Sequence, residues 1–228
     1  MCGRYSLTTP VEAIARLFAL DSRANLPPRY NIAPTQDVPI VRLDKAGQAR
    51  ELVQVRWGLV PVWAKDVKIG ARMINARAET VATRFKDAFQ RRRCLVVADG
   101  FYEWRKLADG RRQPYRITLA DGGVFAFAGL WERWRNPADN EWLLSCTIVT
   151  TDANALVAPI HDRMPVILAP EAHTPWLAAP DPALLKPYPA DAMAMTAVSM
   201  RVNNVDNDDA ACIEPAEAAS GEVQHDLF

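Results

Sequence analysis

Apolar positions recur along this chain at two spacings, one helical and one alternating. Val11, Ile14, Leu17 and Phe18 form a single stripe at helical spacing. Thr9-Pro10-Val11-Glu12 precedes it and reads as a capping box with proline at the first helical position, so a helix is expected near residues 10–20. Pro27-Pro28-Arg29-Tyr30-Asn31 then enforces extended chain. Residues 38–43 and 51–57 read as strands on either side of the turn signal Lys45-Ala46-Gly47. Val81, Phe85 and Phe89, four residues apart, predict a helix over 79–89, and residues 94–98 a short buried strand.

Two Asp-Gly pairs predict hairpins. Asp109-Gly110 lies between Tyr102-Glu103-Trp104 and Tyr115-Arg116-Ile117, and Asp121-Gly122 lies between that second strand and residues 124–130. Residues 142–150 and 164–168 read as further strands, with a short helix near 152–158. No repeat or linker divides the chain. The expected architecture is α+β: a single strand-rich domain over 1–213 with a few peripheral helices around one core. Residues 214–228 turn polar and rich in Ala, Glu and Ser, and read as a flexible tail.

Composition adds little to this picture. Half of the 228 residues are hydrophobic and 24% are charged, an ordinary globular balance. The longest apolar runs, such as residues 124–130, fall far below the ~20 residues that span a bilayer. The opening Met-Cys-Gly-Arg-Tyr-Ser lacks the basic start and apolar run of a secretory signal, so a soluble, cytoplasmic, monomeric protein is expected.

Charge is more informative in its distribution than in its sum. Lys+Arg and Asp+Glu are 27 each. Residues 1–120 hold 22 basic and 11 acidic side chains, leaving 5 basic and 16 acidic beyond, so the two parts carry +11 and −11. That asymmetry fits either a basic face for a polyanion or two parts of one fold that attract each other.

The cysteines stand at 2, 94, 146 and 212, with no C-x-x-C pair, and the histidines at 161, 173 and 225 supply no zinc-like spacing. No metal and no organic cofactor is expected. Cys94 and Cys146 lie in strand-like runs and read as small buried hydrophobes. Cys2 is different, because removal of Met1 would leave an α-amine and a thiol on adjacent carbons. Such an amine has a pKa of about 7.7–8.0 and is partly neutral near pH 7. It can condense with an aldehyde to an imine, which the thiol closes to a five-membered thiazolidine. The same thiolate could instead attack an acyl carbon.

Several motifs occur in a fixed order: Met1-Cys2-Gly3-Arg4-Tyr5, Arg29-Tyr30-Asn31-Ile32-Ala33-Pro34, Trp57-Gly58-Leu59-Val60-Pro61, Ile74-Asn75-Ala76-Arg77-Ala78-Glu79-Thr80, Gly100-Phe101-Tyr102-Glu103-Trp104, His161-Asp162-Arg163-Met164-Pro165 and Val202-Asn203-Asn204. Together they resemble the SRAP family, the SOS-response-associated peptidases that process abasic sites. The resemblance runs from Cys2 to about Asn204.

That resemblance implies an SRAP-type domain whose Cys2 forms a thiazolidine with the ring-opened aldehyde of an abasic site in single-stranded DNA. It implies that Asn75 positions the abasic sugar and that Glu103 and His161 transfer protons. Arg4, Arg77 and Arg163 match phosphate-holding positions, and Trp63 matches a residue on which a base stacks. Where some bacterial members carry a second tryptophan, this sequence has Val62. The chemistry suits the residue types. A carboxyl and an imidazole can share proton transfer, asparagine offers both a donor and an acceptor, and arginine's planar fork matches phosphate.

Taken singly, these residues have plainer readings: Glu103 as the solvent side of an alternating strand, His161 in a turn, Asp162-Arg163 as a local ion pair, and Asn75 as a helix cap. Lys65, Lys68, Arg84 and Arg91-Arg92-Arg93 read as a solvated face. Two other functions stay open: a thiol autopeptidase that removes its own Met1, and a noncovalent reader of single-stranded DNA. Finally, Gln224-His225-Asp226-Leu227-Phe228 resembles the Gln-Leu-Asp-Leu-Phe pentapeptide that holds bacterial sliding clamps, with Gln224, Asp226, Leu227 and Phe228 matching.

Overall fold

A computed structural model describes residues 2–21 and 25–216. The candidate clamp-binding residues 224–228 lie outside the described residues. In chain order the elements begin with β1 (Tyr5–Leu7), α1 (Val11–Phe18), β2 (Arg29–Ile32), β3 (Asp37–Leu43) and β4 (Arg50–Trp57). Then come β5 (Asn75–Arg77), α2 (Ala78–Arg84), α3 (Lys86–Arg91), β6 (Arg93–Ala98), β7 (Gly100–Lys106) and β8 (Arg112–Leu119). The chain continues through β9 (Phe125–Arg135), β10 (Trp142–Asp152), β11 (Arg163–Pro165), β12 (Ile167–Leu168), α4 (Pro170–Ala178) and β13 (Met193–Ala197).

One sheet runs in the order β13-β8-β7-β1-β2, and the other β11-β10-β4-β3-β6-β9-β12, with β5 alongside β10. β9 also pairs antiparallel with β10, so β10, β4, β3, β6 and β9 close into a five-stranded barrel. All six residues of β6 are buried, as expected of a strand covered on both faces. Tyr5 of the first sheet meets Trp57 and Phe127 of the barrel edge-on, with ring centroids 5.2 and 5.8 Å apart, and ties the layers into one main core. The strand-rich α+β expectation is met.

Local departures have physical causes. Pro10 stands at the N-cap of α1 rather than inside the helix, with no side-chain cap. The Thr9 hydroxyl and N–H both donate to Asp99 Oδ2, so the capping box does not form. The helix expected over 79–89 is two helices broken at Phe85 (φ −120°, ψ 32°). Val81 on the first helix and Phe89 on the second are both buried in the core.

Residues 155–160 form turns, not a helix. Asn154 Oδ1 caps this stretch by accepting from the N–H groups of Leu156 and Val157, and Ala158 N–H bonds the Asn154 carbonyl, but the i→i+4 bonding is not carried on into a regular helix. Asp109-Gly110 closes the β7–β8 hairpin as expected. Asp121-Gly122 does not close a second one: β8 pairs with β7 and β13, whereas β9 belongs to the barrel. The turn there carries the chain from one sheet to the other. Helix α4, which contains Pro175, was not foreshadowed by periodicity.

Candidate active site

The N-terminal segment enters between the two layers. Cys2 is fully buried, and its carbonyl oxygen accepts a hydrogen bond from Asn75 Nδ2 at 2.8 Å. Asn75 owes its place to β5, a three-residue strand held parallel to β10 with Asn75 beside Ile148 and Arg77 beside Thr150. Burial raises the pKa of the Cys2 thiol, and the nearby charge of Glu103 acts in the same direction. That coupling puts Glu103 in the cysteine's surroundings.

Glu103 is 4% exposed, so its solvent-facing reading does not hold. On β7 it stands two residues from Phe101 and so shares its face, and Phe101 packs on Phe127 inside the fold. Burial pushes its carboxyl up to about 7, and the charge of Asp162 adds to that rise. A carboxyl in this range can give or take a proton at neutral pH.

His161 follows the run of turns. Its Nδ1 accepts the backbone N–H of Arg163 at 2.9 Å, which places the proton of the neutral ring on Nε2. Asp162 Oδ1 lies 3.0 Å from the same Nδ1, a contact that attracts only a protonated ring. Burial outweighs it and lowers the imidazole pKa, so the ring is neutral near pH 7. Cys2, Asn75, Glu103 and the His161-Asp162 corner therefore gather around the buried amino-terminal segment.

The expected phosphate residues differ in availability. Arg77 is exposed at the end of β5. Arg163 is buried, with Nη1 and Nη2 on Glu79 at 2.6 and 3.0 Å, Nη1 also on Asp152 at 2.6 Å, and Nη2 on the Thr150 carbonyl. Its ion pairs thus reach across the fold rather than to Asp162. Arg4 is half-buried: Nη1 donates to Asn31 Oδ1 at 2.7 Å and to the Val202 carbonyl at 2.9 Å, while the guanidinium covers Trp104.

Asn31 had no assigned role in the sequence, yet it is a hub. Its Nδ2 donates to the carbonyls of Val202, Asn204 and Asn207. Asp208 in turn accepts from the N–H groups of Tyr30 and Asn31 and pairs with Arg29. Two motifs far apart in the sequence, Arg29-Tyr30-Asn31 and Val202-Asn203-Asn204, therefore form one clasp around Arg4. Their co-occurrence was the available signal; Asp208 carried none.

Trp63 and Val62 are 67% and 64% exposed on the loop between β4 and β5. Val60 N–H donates to Ser145 Oγ and Trp134 Nε1 donates to the Ala64 carbonyl, both at 2.8 Å, which seats this loop on the β9–β10 ribbon. At its base Gly58 and Gly70 meet backbone to backbone. A Cβ on Gly58 (φ 123°) would sit 2.7 Å from the Gly70 oxygen, and one on Gly70 would sit 2.5 Å from the Gly58 oxygen. Among the described residues no group of three or more His, Cys, Asp or Glu side chains could hold a metal ion, and no helix is long and apolar enough to cross a membrane.

This fold, with a cysteine-bearing amino-terminal segment buried beside Asn75 and Glu103, defines a class of protein, and the sequence comparison names it. The profile of SRAP, SOS response associated peptidase, matches residues 1–205, and the chain belongs to that family. The abasic site processing protein YoqW of Bacillus subtilis is 43% identical over 225 residues, covering 94% of this chain and 99% of the relative. The abasic site processing protein HMCES of Mus musculus is 33% identical, covering 95% and 76% respectively. A crystal structure of a protein from Bacteroides thetaiotaomicron matches with a TM-score of 0.84 at 26% identity, over 94% of this chain and all of that one.

Proposed function

We propose that this protein is an abasic site processing protein that binds single-stranded DNA and links Cys2 covalently to the lesion. The observation that carries the reading is the Asn75–Cys2 hydrogen bond beside a buried carboxyl with a pKa near neutrality. Relatives that cover nearly the whole chain bear that name. The reading requires removal of Met1, so that Cys2 presents its α-amine.

The chemistry then balances without a cofactor. The neutral amine adds to the aldehyde carbon of the ring-opened sugar to give a carbinolamine. The Glu103 carboxylic acid gives its proton to the departing hydroxyl, so water leaves and an iminium forms. The carboxylate takes the Cys2 thiol proton, and Sγ attacks the iminium carbon to close the thiazolidine, with one water lost overall. His161, neutral with Nε2–H, moves the proton that opens the sugar ring. Asn75 fixes the Cys2 main chain and faces the sugar. Arg77 holds a phosphate, and Trp63 stacks a base, worth about 1–3 kcal/mol. Arg4 and Arg163 serve the DNA through the segments they hold, since their guanidiniums are engaged within the protein.

Incubation with an abasic single-stranded oligonucleotide should give an adduct that survives denaturing electrophoresis, with the mass of Met-free protein plus oligonucleotide minus water. Cys2→Ala should give none without a reductant. Unmutated adduct yield in Cys2→Ala overturns the thiazolidine. Peptide turnover without an adduct favours the autopeptidase, and salt-sensitive binding alone favours the noncovalent reader. Gln224, Asp226, Leu227 and Phe228 are proposed to tether the protein to the sliding clamp, raising its local concentration at replicating DNA. Binding of the 214–228 peptide to the clamp, lost when Leu227 and Phe228 become Ala, is the check.

A further inference from the structure

Beyond residue 120 this chain has five basic residues among sixteen acidic ones: Arg133, Arg135, Arg163, Lys186 and Arg201. Arg163 is paired with Glu79 and Asp152, and Arg201 with Asp209. Arg133 and Arg135 form no ion pair among the described residues. They stand two apart on β9, so they share one face of the strand, and both are exposed.

Both guanidiniums turn to one ring. Trp142, directly opposite Arg135 in the β9–β10 ladder, is 53% exposed. Arg133 Cζ lies 3.8 Å from its centroid and Arg135 Cζ 5.7 Å. Further along the same face Arg42 covers Trp131 at 4.2 Å, although Arg42 is also paired with Glu51. The ribbon end thus exposes guanidinium and indole planes whose cations make no direct ion pair among the described residues, although Asp139 and Glu141 lie in the loop that joins the two strands.

Planar cations beside an exposed indole match a partner that carries both negative charge and flat rings. Phosphates satisfy the guanidiniums, and bases stack on indole and guanidinium planes. An acidic peptide would use the charge but leave the ring face uncovered. We propose that the end of the β9–β10 ribbon, built on Arg133, Arg135 and Trp142, is a second nucleic-acid subsite that grips the strand flanking the lesion. It is separate from the Cys2 pocket: Trp142 lies six residues along β10 from Ile148, the neighbour of Asn75, about 20 Å at ~3.3 Å per residue. The inference rests on the single-stranded DNA reading above and adds a length requirement to it.

The test uses the full chain and two abasic oligonucleotides, a short one that fills only the Cys2 pocket and one long enough to reach both sites. In the Arg133→Glu/Arg135→Glu double variant and in Trp142→Ala, affinity for the long strand should fall roughly tenfold. The double variant's salt slope should drop by about 1.4. Adduct formation with the short strand should be unchanged, which also shows that the variants fold. Trp142→Phe should recover most of the loss. Unchanged long-strand affinity, or equal losses on both strands, overturns the subsite. Failure of the unmutated protein to link either strand overturns the underlying function, and the subsite with it. Binding of an acidic peptide that competes with neither strand assigns the patch to a protein partner and also overturns it.

Discussion

Asn75 Nδ2 holds the Cys2 carbonyl oxygen at 2.8 Å, joining two residues that are seventy-three positions apart. The donor sits on a strand registered against β10, so the amino-terminal end of the chain is referenced to the barrel. Asn75→Ala should slow single-turnover adduct formation by about 10–100-fold, the scale of a misplaced reacting group. Asn75→Asp should be worse, because a carboxylate faces the carbonyl oxygen in place of a donor. Quenched time courses at saturating abasic DNA give the rate.

Glu103 should set the pH dependence. Its folded pKa is raised from 4.5 to about 7, so the folded protein keeps a proton that the unfolded chain has lost. Stability contributed by this group therefore declines as pH rises from about 4.5 to 7 and is level above that. Glu103→Gln should flatten this part of the stability curve, measured by urea titration at several pH values. On the proposed mechanism, in which Glu103 donates the proton for dehydration, adduct formation should also show a limb that falls above pH 7, and Glu103→Gln should abolish it.

Arg77 and Arg163 should separate cleanly although both match phosphate positions. Arg77→Ala should weaken DNA binding and lower the salt slope by about 0.7, with little change in melting temperature. Arg163→Ala breaks hydrogen bonds to Glu79, Asp152 and the Thr150 carbonyl and should cost about 1–3 kcal/mol of stability. Glu79 and Asp152 are largely exposed, which keeps the loss at the lower end. Anisotropy titrations over a salt series, beside denaturant melts, distinguish the two.

Asn31→Ala should leave three carbonyls and Arg4 short of a partner, at about 2–3 kcal/mol. The informative measurement is the split between DNA affinity and adduct rate. A clasp that positions Cys2 through Arg4 should lose rate with affinity nearly intact.

Much of this was legible in the residues. The β7–β8 hairpin, the buried β6 strand and the first helix follow from turn chemistry and periodicity. Ordered motifs identified Cys2, Asn75, Glu103 and His161 as a group. What escaped depended on distance along the chain. A dipeptide such as Asp121-Gly122 specifies a turn but not which strands pair beyond it. The ion pairs of Arg163 lie 84 and 11 residues away, so nothing local marked that arginine as engaged. The Phe85 break was hidden because Val81, Phe85 and Phe89 keep helical spacing even when the helix does not continue.

The Gly58–Gly70 contact has a consequence for timing. A loop drawn shut at its throat by two main chains has already given up its conformational freedom when the barrel folds. On the proposed reading, a base that stacks on Trp63 meets a loop already anchored at its base, so less ordering remains to be done on binding. A side chain at either glycine would force these two main chains apart and give that freedom back to the loop.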